Sequence, residues 1–338
     1  MRTSGYIIAE VGQAHDGSLG IAHSYIDALS ETGVDAVKFQ VHIADAESSP
    51  HEPFRVHFSY EDQTRYDYWK RMEFTLEQWA GLKQHCEEKG LDFIPSTFSN
   101  AAVDLMEQIG VKSYKIGSGE VSNFLMLEKI ARTGNQIFLS SGMSSFEEID
   151  EAVEFLKPFK NPLTIFQCTT AYPTKPEEWG LNVIEELKER YQLPIGFSDH
   201  SGSIYACLAA SAIGAEVLEF HVVFDKRMFG PDVSASLTIE EVKNLVKGVR
   251  EIHKSRVFAV NKSDTSKYNG MKDIFGKSLA VCRDLKKGDS ITADVLEAKK
   301  PKHCGIDARE HHRIIGKKLK RDLQKWEFIS ESDVYEET

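Results

Sequence analysis

Short apolar runs alternate with longer amphipathic stretches over the first two-thirds of the chain. The runs 6–9, 36–39, 93–95, 113–116, 136–139, 163–166, 194–197 and 217–220 have strand length, and helical patterns such as 21–32, 76–89, 101–109, 146–156 and 205–213 follow most of them. Five joints share one form: a helical stretch closes on Gly33, Gly90, Gly110, Gly134 or Gly214, one or two residues follow, and a strand begins. Glycine just past a helix adopts the left-handed conformation at low steric cost. The pattern predicts serial βα units, and eight of them within about 250 residues suit a (β/α)8 TIM barrel better than an open doubly wound sheet. The segment 41–69 is too long for an ordinary βα loop and is rich in His, aromatic and acidic residues, which predicts a lid or a substrate wall.

After a helical pattern at 239–254 the periodicity changes. Residues 261–270 are polar and turn-rich, and beyond them come short apolar pieces around Ser278–Cys282, Ile291, Val295, Ile315–Leu319 and Phe328–Ile329. The reading assigns 1–256 to the barrel, 257–275 to a linker and 276–338 to a small C-terminal domain of short strands.

Composition narrows the possible partners. Forty-one basic against 52 acidic residues give a net charge of −11 with no basic arm, which argues against nucleic acid. No apolar stretch approaches the roughly 20 residues of a spanning helix, and the first run is strand-sized rather than a signal segment, so no membrane association and a cytoplasmic location are expected. Five scattered cysteines without a C-x-x-C pair argue for reduced thiols.

Barrel active sites lie at the C-terminal strand ends, so the residues closing each run can be taken as one ring. That ring holds Glu10, Lys38 with Gln40, Ser96, Lys115 with Ser118, Ser140, Thr170 with Tyr172, Ser198 with His200, and His221. Lysines inside apolar strands are costly to bury without an anionic partner, so Lys38 and Lys115 predict an anionic ligand. The glycine-bounded turns Ile116-Gly117-Ser118-Gly119-Glu120 and Ser140-Ser141-Gly142 offer backbone N–H groups and hydroxyls suited to a phosphate or carboxylate. His200 and His221 are either hydrogen-bonded strand-end residues or the two imidazoles of a shared divalent metal. Glu10 is the leading general-base candidate. Asp199 is a ring-orienting residue or a helix cap, His15 and Asp16 are site or turn residues, and Cys168 lacks an evident base.

Taken together, Ile8-Ala9-Glu10-Val11-Gly12 with His15-Asp16-Gly17, Val37-Lys38-Phe39-Gln40, Tyr114 to Glu120, Leu139 to Met143, Cys168-Thr169-Thr170-Ala171-Tyr172-Pro173, Phe197 to His200, Glu219-Phe220-His221 and Gly230-Pro231-Asp232 resemble the sialic acid synthase family, including its legionaminate and pseudaminate relatives. The region from about Lys277, with Asp284 to Gly288 and Ile315 to Leu319, is similar to the antifreeze-like (SAF) domain of that family. The resemblance implies condensation of phosphoenolpyruvate with an open-chain N-acyl hexosamine, N-acetylmannosamine or a diacetamido relative. It also implies a divalent metal, Mn2+ with Mg2+ or Co2+ as alternatives, on His200 and His221. Lys38, Ser96, Lys115, Ser118, Ser140, Thr170 and Ser198 would surround phosphoenolpyruvate, and Gln40, Tyr172 and Asp232 would face the sugar. A domain-swapped homodimer is implied as well.

Three positions depart from the family pattern: Ala14 and Thr170 stand where it has Asn, and Lys300 before Pro301 where it has an Arg that reaches the partner's sugar. Lysine cannot reproduce the planar guanidinium fork. Two other readings remain open: a 6-phosphorylated sugar, which Arg55, Arg65 and Arg71 would permit, and a barrel that binds carbohydrate or an anion without turnover.

Overall fold

In the computed structural model, which describes residues 5–56 and 58–336, eight parallel strands close into a barrel. They are β1 (Tyr6–Gly12), β2 (Ala36–Val41), β3 (Asp92–Thr97), β4 (Ser113–Ile116), β5 (Gln136–Ser140), β6 (Leu163–Cys168), β7 (Ile195–Asp199) and β8 (Val217–Val223). Each pairs with its sequence neighbour, and β1 closes the ring on β8 with Glu10 opposite both Lys38 and His221. A two-residue β9 (Leu237–Thr238) pairs in parallel with the end of β8.

The helices are α1 (Leu19–Ser30), α2 (Ala44–Glu47), α3 (Arg65–Met72), α4 (Leu76–Glu88), α5 (Asn100–Gln108), α6 (Phe124–Arg132), α7 (Phe146–Leu156), α8 (Leu181–Tyr191), α9 (Ile204–Ile213) and α10 (Ile239–Val257). Local chemistry sets their ends: Thr75 with Gln78, Ser145 with Glu148 and Thr238 with Glu241 form reciprocal capping boxes at α4, α7 and α10. The five joint glycines all have φ between +71° and +111°, as the helix-to-strand turns demand. α2 and α3 lie in the long segment after β2, and Tyr68, Trp69 and Met72 of α3 pack with Ala44 of α2 in a small core of their own.

Strand parity divides the barrel interior into two layers. Tyr6, Ile8, Ala36, Ile94, Phe138, Phe166 and Val217 form an apolar cluster. One step further along the same strand faces come Glu10, Lys38, Ser96, Ser140, Cys168, Ser198 and Glu219, all buried. Gly196 belongs to the apolar layer, where a Cβ would stand 2.6 Å from the Phe166 ring, so the absence of a side chain on β7 makes room for the aromatic on β6. The outer faces of the strands pack on the helices in the main core, with Tyr25, Phe39, Trp79 and Phe197 among its largest members.

The chain forms two compact units, Met1–Phe258 and Ala259–Thr338. In the second, β10 (Ser278–Val281) pairs antiparallel with β11 (Leu296–Lys299), and β12 (Lys318–Leu319) with β13 (Val334–Tyr335). Leu279, Val281, Ile291, Val295, Ile306, Leu319 and Ile329 contribute to its small core. The stretch predicted as a linker is partly helical, with a 3-10 turn at Ser266–Tyr268 and α11 (Asn269–Phe275). Met271, Ile274 and Phe275 recur there at helical spacing, a short pattern masked by the polar residues before it.

Candidate functional site

The upper layer of the barrel interior is a buried charge network. Lys38 Nζ lies 3.1 Å from Glu10 Oε2 and 2.9 Å from Glu219 Oε1, and Lys115 Nζ lies 2.6 Å from Glu219 Oε1. Ser198 Oγ donates to the same Glu219 oxygen at 2.9 Å, and Gln40 Nε2 donates to Glu10 Oε1 at 2.7 Å. All four charged side chains are 5% exposed or less. Burial opposes ionisation of Glu10, yet the imidazole of His221 and the ammonium of Lys38 hold it well below the usual carboxylate range. Burial also pushes His221 down, which leaves Lys38 as the lasting cation beside Glu10. Lys115, with one carboxylate against the two of Lys38, is held below the usual lysine range by burial, while Lys38 is raised by Glu10 and Glu219 against its burial.

Two histidines stand beside this network. β7 ends at Asp199 and delivers His200, β8 carries His221, and their ring centroids are 5.3 Å apart. The Tyr172 ring packs 4.2 Å from His200 and 5.9 Å from His221. His200 Nδ1 lies 2.9 Å from the Thr169 carbonyl, which can only accept, so that nitrogen carries a proton and Nε2, once deprotonated, is the atom left for a ligand. His221 Nε2 lies 3.2 Å from Glu10 Oε2. Among the described residues no group of three or more His, Cys, Asp or Glu side chains is arranged to hold an ion. A carbonyl-oriented imidazole facing a second imidazole and a carboxylate nevertheless suits an open divalent site that substrate and water complete.

On the far side of Lys115 the glycine turns form a cradle of hydroxyls. Ser118 Oγ and Ser140 Oγ are 3.1 Å apart, and Ser96 Oγ donates to the Lys115 carbonyl at 3.3 Å. A Cβ on Gly142 would lie 2.5 Å from both Ser118 Oγ and Thr170 Oγ1 and 2.9 Å from Cys168 Sγ, so glycine keeps open the space on which these groups converge. Cys168 Sγ lies 3.8 Å from His200 Nδ1 and from Ser118 Oγ. Burial resists charge on both thiol and imidazole, but each favours the other's ionised form, drawing Cys168 down to about 7 and His200 up to about 9.

These groups line one cavity of about 530 Å³. Its outer wall comes from the long segment after β2, through Glu47, Glu52, Phe54, Arg55, Phe58, Arg65, Tyr68 and Trp69, and from Asp232 after β8. Arg55 Nη2 bonds Asp232 Oδ1 at 2.5 Å while its guanidinium lies 4.1 Å above the Tyr172 ring.

Residues 25–260 match the profile of the NeuB family. The chain belongs to the NeuB family. It is similar to the N,N'-diacetyllegionaminic acid synthase of Campylobacter jejuni, with 34% identity over 331 residues covering 96% of this chain and 98% of that protein. It is 32% identical to the human N-acetylneuraminate-9-phosphate synthase over 330 residues, covering 96% of this chain and 91% of the relative. A crystal structure of N-acetylneuraminic acid (sialic acid) synthetase from Leptospira borgpetersenii in complex with citrate superposes with a TM-score of 0.71 at 30% identity, over 80% of this chain and 91% of that one.

For this NeuB family member, the residues given catalytic, enol-binding, sugar-binding or metal roles from sequence within the first unit line the cavity: Glu10, Lys38, Gln40, Ser96, Lys115, Ser118, Ser140, Thr170, Tyr172, Ser198, His200, His221 and Asp232. Lys300 stands in the second unit, its ammonium 4.8 Å from the Phe275 ring. His15 is fully buried against Phe74, with Nδ1 accepting from the Gly17 N–H, and Asp16 pairs with Arg71, so both are turn residues. Asp199 accepts from Ser201 N and Oγ and acts as a loop cap. Sequence reasoning missed Glu219, although it shares strand parity with His221 two residues on. It also missed His42, stacked between Trp69 and Phe98 and paired with Glu47, for which no periodic signal exists.

Proposed function

We propose that the protein is a sialic-acid-type synthase that condenses phosphoenolpyruvate with the open-chain form of an N-acyl hexosamine, giving a nine-carbon 2-keto acid and phosphate. The observation that carries this reading is the juxtaposition, in one cavity of a NeuB family chain, of two buried ammonium groups and a hydroxyl cradle with a histidine pair and a carboxylate. A binding module needs no ionised base beside such a pair, which disfavours the reading without turnover.

Lys38 and Lys115 bind the carboxylate and phosphate of the enol, and Ser96, Ser118, Ser140, Thr170 and Ser198 complete the anion site with hydroxyl donors. His200 and His221 would hold a divalent ion, which when bound would supply a Lewis acid for the sugar's aldehyde oxygen. Gln40, Tyr172 and Asp232 orient the sugar so that its C1 faces C3 of the enol. The C3–C1 bond forms, water adds at C2, and the C2–O bond to phosphate then breaks, leaving the ketone. Glu10 takes one proton of that water and passes it to the alkoxide left at the sugar's C1, while the proton remaining on the C2 oxygen leaves with the phosphate. An anion on the ammonium groups weakens their hold on Glu10, so its basicity rises when substrate is bound. The lysines and hydroxyls stabilise the departing phosphate.

The short-stranded second unit is assigned as an antifreeze-like domain, and self-association as a domain-swapped homodimer presents Lys300 to the partner's sugar. Among the described residues no helix is long and apolar enough to cross a membrane. The decisive experiment is phosphate release from phosphoenolpyruvate with Mn2+ and a panel of N-acyl hexosamines, with mass analysis of the product. No release with any sugar refutes the synthase assignment. Full activity of His200→Ala after chelation refutes the metal assignment, and an active monomer by light scattering refutes the dimer.

A further inference from the structure

The cavity has two halves of different electrostatic character. The inner half carries the apparatus for an anion: two ammonium groups, the Ser118 and Ser140 hydroxyls and the space above Gly142. Among the described residues, the outer half is lined by the carboxyl groups of Glu47, Glu52, Glu120 and Asp232 against the guanidinium groups of Arg55 and Arg65. Both guanidiniums are engaged. Arg55 bonds Asp232, while Arg65 Nε lies 3.2 Å from Glu52 Oε1, Nη1 donates to the Pro53 carbonyl at 3.3 Å, and its Cζ lies 5.0 Å from the Trp69 ring. Arg71, the third arginine of the segment, does not line the cavity. It clasps Asp62 at 2.8 Å and donates to the Asp16 carbonyl at 3.2 Å.

We infer that the outer half selects a sugar whose far end carries no charge, and that Arg55, held by Asp232 and spread on Tyr172, is the residue that makes the selection. This rests on the synthase reading and narrows its second substrate. A terminal phosphate dianion needs an unoccupied cationic fork or a nest of N–H donors. Here it would have to draw Arg55 away from Asp232 and would then face that carboxylate together with Glu47 and Glu52. A hydroxyl or an acyl carbonyl can instead accept from the Arg55 N–H groups not used by Asp232 and leave the pair intact. The position of Arg55 is well determined for this purpose: the Tyr172 ring beneath it packs in turn on His200, so the guanidinium is referenced to the histidine pair through a single aromatic ring.

The test compares N-acetylmannosamine with N-acetylmannosamine 6-phosphate as partners for phosphoenolpyruvate, using the full chain with Mn2+ and following phosphate release and product mass. The neutral sugar is expected to show at least a roughly tenfold higher kcat/KM. Arg55→Ala should raise KM for the neutral sugar about tenfold while KM for phosphoenolpyruvate stays within about twofold, and Arg55→Lys should not restore it, because a point charge lacks the planar fork. Glu52→Gln should narrow the preference for the neutral sugar. Equal or better use of the 6-phosphate, with its turnover the one most damaged by Arg55→Ala, overturns the inference and leaves the synthase assignment standing. Absence of turnover with both sugars and with every member of the wider panel of N-acyl hexosamines overturns the synthase assignment and this inference with it.

Discussion

Replacing Glu219 by Gln removes one negative charge from a side chain that serves three donors at a single oxygen. After the change Lys38 keeps Glu10 at 3.1 Å, but Lys115 loses the carboxylate at 2.6 Å that balances it. At an effective dielectric near 20, such a pair attracts by about 6 kcal/mol before desolvation is subtracted. Orphaning one partner of a buried pair costs about 3–5 kcal/mol, a large share of the roughly 5–15 kcal/mol that holds a domain folded. For a domain of this size each kcal/mol moves Tm by about 2–4 °C, so a fall of roughly 10 °C is expected. Calorimetry at neutral pH, run beside the phosphate-release assay, measures it. The double variant Lys115→Met/Glu219→Gln removes the orphaned charge and should recover part of the loss, giving a coupling energy of at least about 1 kcal/mol. A single variant that melts within about 2 °C of the parent, or a cycle without coupling, refutes the claim that Glu219 compensates Lys115.

Gly142→Ala pushes a methyl group into Ser118 and Thr170, so KM for phosphoenolpyruvate should rise about tenfold or more with KM for the sugar little changed, and an unaltered KM for phosphoenolpyruvate contradicts the cradle. Gly196→Ala overpacks Phe166 in the lower layer, for which a loss of about 1–3 kcal/mol in denaturant unfolding is expected, and unchanged stability means that the Phe166 ring has room to move. Partial burial works against the charge of Asp62, but Arg71 outweighs it and holds that carboxyl below its usual range. A depressed folded-state value means the clasp contributes fully above the unfolded carboxylate value and is lost as pH falls through the folded one, so proteolysis of the 59–72 segment should stay constant from pH 8 to 5 and rise only below about 4. Loosening already at pH 6, or the same acid onset in Asp62→Asn, contradicts it.

The barrel and its polar rim were legible because both obey short periods. Apolar runs of strand length, glycines just past five of the helices and polar residues closing the strands are local signals, and the eight-strand order follows from them. Strand parity from His221 also pointed to Glu219, but a glutamate inside Val217–Val223 is hidden by its apolar neighbours in sequence. The outer wall was legible only as an overlong segment. Arg55, Arg65 and Arg71 are equivalent by composition, and their separate fates depend on which carboxylate each meets, Asp232 lying 177 residues from Arg55. The helix Asn269–Phe275 was missed because seven residues give too little periodicity to outweigh the turn-rich stretch before it.

The apolar layer of Tyr6, Ile8, Ala36, Ile94, Phe138, Phe166 and Val217 lies beneath the charged layer and makes the cavity a cul-de-sac. Traffic in such a vessel is last in, first out. Under the proposed chemistry the enol occupies the blind end, the sugar closes behind it, and the water that must reach C2 is already inside when the doorway fills. Hydration then draws on a captive molecule rather than on bulk solvent. On that proposal phosphate, released at the blind end, would leave only after the nine-carbon product had cleared the passage.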